Sequence, residues 1–159
     1  MAVEQKEAFE MTTTPETVDW PETQYVFVEK TGPFASSAPA AWGELHAVRA
    51  EIEKQNTVTR YFSAYKIGPK IYRAGVSVAE KPSNLPQGVR YEVLPGGKYA
   101  RFTLTGPFRH LAEACGRAAQ IVEERRLPLR DDFNLEHYVT DPRVTPEREL
   151  RTDLLFPLK

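Results

Sequence analysis

Along this chain, runs in which apolar and polar side chains alternate give way twice to longer runs in which apolar residues return every three or four positions. The alternating runs, at residues 23–30, 59–67, 71–79, 89–94, 98–104, 133–140 and about 150–156, are rich in aromatic and β-branched residues and predict strands. Within 98–104, Ala100, Phe102 and Leu104 share one face while Tyr99, Arg101 and Thr103 share the other. The first helical run carries Ala38, Ala41, Trp42, Leu45, Val48 and Ile52; Ser36 or Ser37 is its expected cap, Pro39 falls in its first turn, and it ends near Gln55. The second carries Leu111, Ala114, Cys115, Ala118, Ile121 and Val122, and Pro128 closes it.

The two helical runs sit in a repeat. Thr31-Gly32-Pro33-Phe34 returns 74 residues later as Thr105-Gly106-Pro107-Phe108, and each copy lies between a strand and a helix, where Gly and Pro break the ladder. With one residue deleted, Ala41-Trp42-Gly43 falls on Ala114-Cys115-Gly116. Each helix is followed by two further strands. The sequence therefore predicts an α+β fold: duplicated strand-helix-strand-strand units, about 23–80 and 98–159, forming one curved antiparallel sheet with two long helices on one face and solvent on the other. A cleft is expected where the halves meet. Residues 1–20 lack useful periodicity and are expected to form a mobile tail, with a short helix over 4–10, ahead of a single domain at 21–159.

Composition narrows the function. Twenty-one Lys and Arg against 22 Asp and Glu leave a net charge of -1, which supplies no global field for nucleic acid or anionic membrane. The one cysteine cannot form an internal disulfide, the three histidines, His46, His110 and His137, are too scattered to predict a structural metal site, and no cofactor is expected. No run reaches the roughly 20 apolar residues that span a bilayer, so a cytoplasmic location is expected.

The order and spacing of Leu94-Pro95-Gly96-Gly97-Lys98-Tyr99-Ala100, Thr105-Gly106-Pro107-Phe108, Leu135-Glu136-His137-Tyr138, Asp141-Pro142, Thr145-Pro146-Glu147 and residues 150–157 resemble the GyrI-like, or AraC-type, effector-binding domains, also present in multidrug-responsive regulators of the MerR class. The resemblance covers about residues 20–159. It implies a ligand cleft between the halves, with a buried strand glutamate among aromatic rings; Glu136 is the matching position. No helix-turn-helix precedes the domain in this sequence, so a transcription-factor role is not implied unless a partner protein supplies the DNA contact.

On its strand, Glu136 shares a face with Asn134 and Tyr138. A carboxylate beside a tyrosine suits a cation, and aromatic faces add to that attraction. The expected ligand-binding residues are Glu136, Tyr138, Trp42, Tyr65 and Tyr99. The plain alternatives are a solvated or ion-paired glutamate, a core tryptophan and ordinary sheet tyrosines. Cys115 reads as a small core residue, and Pro33 and Pro107 remove the N–H donors a phosphate cradle requires. The resemblance implies three alternative functions: a stand-alone module binding small amphipathic organic molecules, cationic ones among them; a hydrolase of strained-ring natural products, with Glu136 as general base and Tyr138 or another tyrosine polarising the leaving group; or a protein-interaction module like the family's gyrase inhibitors.

Overall fold

The computed structural model describes residues 9–159. Nine strands and two helices follow one another: β1 (Glu10–Met11), β2 (Glu16–Trp20), β3 (Thr23–Thr31), α1 (Phe34–Gln55), β4 (Val58–Lys66), β5 (Ile71–Val78), β6 (Arg90–Leu94), β7 (Gly97–Thr105), α2 (Leu111–Glu124), β8 (Asn134–Tyr138) and β9 (Arg151–Pro157). All strands pair antiparallel in one unclosed sheet, in the order β1-β7-β9-β8-β4-β5-β3-β6, with β2 also paired to β7. The halves join at β4 and β8, the seam of the molecule.

Both helices cover the same face. Ala41, Leu45 and Ile52 of α1 pack on Val26, Val28, Ala74 and Val76; Ala114, Ala118 and Val122 of α2 pack on Ala100, Phe102, Leu104 and Leu154.

The opposite face does not meet solvent as expected. It holds a second core of Trp20, Tyr25, Phe27, Phe62, Tyr99, Leu135 and Leu155. The reason lies in the connection between β6 and β7, which is only Pro95 and Gly96 although these strands lie six ladder steps apart in the sheet. In a flat sheet six steps span about 29 Å, whereas two residues reach about 7–10 Å. The sheet must curl, and its concave side becomes an interior. Gly75 belongs to that interior: a Cβ there would lie 2.4 Å from Tyr25 Cε1 and 2.6 Å from the Val26 carbonyl oxygen.

Two local expectations need correction. Residues 16–20, placed in a mobile tail, form an edge strand in register with β7, Glu16 against Arg101 and Trp20 against Gly97. Val18 and Trp20 alternate inward, Trp20 meets Phe62 edge-on at 5.4 Å, and Arg101 Nη2 pairs with Glu16 Oε2 at 2.7 Å. Residues 10–11 pair with Thr105 and Leu104. The helix expected over 4–10 lies outside the described residues except at its last two positions, where Glu10 is in β1. The first helix also begins earlier than expected. Pro33 is its N-cap, no side chain caps it, Ser36 and Ser37 lie inside its first turn donating their N–H groups to the Pro33 carbonyl, and Pro39 is internal. Gly32 and Gly106, equivalent in the repeat, have φ of +128° and +139°, a backbone only glycine adopts readily, and this turn rather than a serine cap starts each helical segment.

Candidate functional site

The sequence repeat becomes a near-two-fold arrangement at the seam. After the one-residue deletion the displacement between halves is 73, which makes Ser63 the counterpart of Glu136, and these two residues are paired across β4 and β8. The pseudo-axis therefore passes between them, on the face that α1 and α2 cover. The same displacement matches Trp42 with Cys115, Tyr65 with Tyr138 and Phe34, through the undeleted motif, with Phe108. The contacts follow suit: Phe34 meets Tyr65 edge-on at 5.6 Å, and Phe108 meets Tyr138 edge-on at 5.6 Å. Trp42 stands against Tyr138 at 5.4 Å, while Cys115 lies beside Tyr65.

The two sides are nevertheless unlike. On the Tyr65 side the β4–β8 ladder stays closed, Tyr65 opposite Asn134, and Tyr65 is buried. On the Tyr138 side β4 and β8 separate: the ladder ends at Phe62 opposite His137, so the next pair in register, Tyr61 and Tyr138, is split. Beyond this point β8 stays with β9, the Val139 N–H donating to the Arg151 carbonyl. A cavity of about 440 Å³ opens in the gap, walled by Trp42, Phe108, Leu111, Tyr61 and Tyr138 and rimmed by His46, Arg49, Arg60, His137 and residues 139–143. That volume suits a small organic ligand.

Glu136 lies one step deeper. The Tyr138 hydroxyl donates to its Oε2 at 3.1 Å and the Cys115 thiol to its Oε1 at 3.4 Å. Among the described residues no basic side chain pairs with it. Burial raises its pKa above the ordinary carboxylate range, and the two donors offset only part of that rise. Trp42 Nε1 donates to the Tyr72 hydroxyl at 2.8 Å, fixing the indole that faces the cavity. Burial also pushes up the hydroxyls of Tyr65, Tyr72 and Tyr138, with the Glu136 charge adding to each. The Thr152 hydroxyl, cross-strand neighbour of Tyr138, is buried without a hydrogen-bond partner among the described residues.

Of the five expected ligand-binding residues, the structure places Trp42 and Tyr138 in the cavity wall and Glu136 directly beneath Tyr138. Tyr65 lies on the other side of Glu136, behind Cys115, and is not in the wall. Tyr99 is on the concave face, with the Arg130 guanidinium 4.6 Å above its ring. Its alternation with Ala100 and Phe102, which face α2, sends it there. Tyr61, one of the tyrosines that could supply a further ring, is in the wall, whereas Phe108, Arg49, Arg60 and Arg143 were not anticipated. For Phe108 a signal was present, since the repeated motif sets it opposite Phe34. Among the described residues no group of three or more His, Cys, Asp or Glu could hold a metal ion, and no helix is long and apolar enough to cross a membrane.

Comparison with known proteins gives a match over residues 13–159 to the model of the GyrI-like small molecule binding domain. No curated protein sequence matches the chain. Among solved structures, the EcmrR C-terminal domain is similar at 18% identity and a TM-score of 0.75, covering 96% of this chain and 99% of that one. The chain spans only 57% of the longer EcmrR chain seen in a DNA complex. SAV2435 bound to tetraphenylphosphonium is similar at 12% identity and a TM-score of 0.67, over 91% of this chain and 93% of that one. A hydrolase from Listeria innocua is similar at 14% identity and a TM-score of 0.57, over 92% of each chain. At these identities the likeness concerns the fold.

Proposed function

This chain belongs to the GyrI-like small-molecule-binding domain family, and from that premise we propose that it holds amphipathic organic molecules, lipophilic cations among them, in the cavity where β4 and β8 separate. The observation that carries this reading is a part-buried carboxyl, Glu136, which among the described residues is hydrogen-bonded by a hydroxyl and a thiol and paired with no cation. A buried acid without a basic partner is costly when ionised. A ligand cation seated against Trp42, Phe108 and Tyr138 would supply the missing charge. At about 4 Å and an effective dielectric near 20 the gross attraction is roughly 4 kcal/mol, and each well-placed ring adds roughly 0.5–2 kcal/mol. SAV2435, a neighbour in fold, has been solved with the lipophilic cation tetraphenylphosphonium, which supports the choice of probe. Titration calorimetry with tetraphenylphosphonium and with neutral triphenylphosphine oxide tests the reading: the cation should bind at least tenfold more tightly. Equal affinity for the two would remove the cation preference.

A second reading is hydrolysis, favoured by the raised pKa of Glu136 beside a tyrosine hydroxyl. Glu136 as general base would take a proton from water attacking a strained ring, and Tyr138 would polarise the leaving group. Turnover of cyclopropane-bearing electrophiles by wild type and by Glu136→Ala separates it from passive binding. An interaction module of the gyrase-inhibitor kind remains a third proposal, tested by pull-down with the cavity filled and unfilled.

A further inference from the structure

We infer that the ligand of this cavity carries an anionic group as well as an apolar body, and that Arg60 at the mouth receives it. The inference rests on the binding site proposed above and adds the chemistry of its outer end. Three arginines, Arg49, Arg60 and Arg143, stand around the opening, against two carboxylates. Arg143 is matched: its Nη2 lies 2.8 Å from Asp141 Oδ2 and its Nε 3.0 Å from Oδ1. Arg49 is half matched, 3.8 Å from Glu53 Oε1, an oxygen that also accepts the Tyr61 hydroxyl at 2.6 Å. Arg60 has no carboxylate partner among the described residues. Its guanidinium lies 4.9 Å over the Trp20 ring, so the side chain is held in place by an aromatic face that leaves its N–H donors uncommitted.

The surplus charge registers on both histidines of the rim. Burial lowers the pKa of His46, and Arg49 lowers it further; burial lowers that of His137, Asp153 opposes, and Arg60 and Arg151 add to the lowering. A simple cation therefore enters past a repelling mouth to reach Glu136. A molecule with a cationic end and an anionic end is instead sorted lengthwise, cation inward and anion at Arg60.

Carboxypropyl-, carboxybutyl- and carboxypentyl-triphenylphosphonium, each compared with its methyl ester, test this by calorimetry in low salt. At the best chain length the acid should bind about tenfold more tightly than its ester. The acid-to-ester ratio should fall to about one in Arg60→Gln, survive in part in Arg60→Lys, and shrink as salt is raised. Equal binding of acid and ester at every length, or a ratio untouched by Arg60→Gln in a variant with native circular dichroism, overturns the inference while leaving the site intact. Failure of acids and esters alike to bind overturns the site itself, and this inference with it.

Discussion

Tyr138 donates its hydroxyl to Glu136 Oε2 at 3.1 Å, two positions along the same strand, and so ties the carboxyl to the cavity wall. Replacing that carboxyl by its isosteric amide keeps the shape and removes the charge. Glu136→Gln should weaken tetraphenylphosphonium binding by roughly 30- to 150-fold, about 2–3 kcal/mol. Its stability should change by no more than about 1 kcal/mol, because no ion pair is broken. Calorimetry and thermal denaturation read the two quantities; unchanged affinity would place the cation elsewhere.

The raised pKa of Glu136 also fixes a pH dependence. Between the carboxylate pKa of the unfolded chain and the higher value in the folded protein, the folded state keeps a proton that the unfolded state has released. Stability of the unliganded protein should therefore fall as pH rises through that window and level off above it. Affinity for tetraphenylphosphonium, whose charge does not change with pH, should rise through the same window and then plateau. Both slopes should vanish in Glu136→Gln. A rise in affinity that persists there would belong to His46 or His137 at the rim, whose lowered pKa values make stability rise rather than fall with pH.

Much of this arrangement was legible in the chain. The returning Thr-Gly-Pro-Phe segment and the two helical stripes predict the duplicated halves, and the alternation through Asn134, Glu136 and Tyr138 predicts that these three share one face. Two things were hidden for physical reasons. Curling of the sheet depends on a strand pairing far along the chain, and no local pattern marks Trp20 or Tyr99 as members of a second interior. The cavity depends on where β4 and β8 part, and Tyr61 looks like an ordinary sheet residue until its missing rung opposite Tyr138 is seen. The edge strand at Glu16–Trp20 escaped notice because only Trp20 of its five residues is fully buried.

Trp42 tests the wall independently of the charge. Trp42→Ala removes the ring that faces Tyr138 and the donor to the Tyr72 hydroxyl, and should cost an aromatic ligand about tenfold in affinity. Trp42→Phe keeps a ring and should cost only a few-fold, with a stability loss of about 1 kcal/mol from the lost hydrogen bond. Full affinity in Trp42→Ala would show that the ligand sits outside the cavity.

Cys115 reports on the charge from behind. Burial pushes its thiol pKa far up, and the charge and hydrogen bond of Glu136 push it further, against a smaller lowering by Tyr65. Alkylation requires the thiolate, so iodoacetamide should modify native Cys115 at least about tenfold more slowly than the same residue in urea. Glu136→Gln removes the neighbouring charge without opening the helix, so its rate should lie between those two. This ordering separates electrostatics from access: if burial alone protected the thiol, the Glu136→Gln rate would equal that of the native protein, and the carboxyl would have to be uncharged at the pH of the measurement.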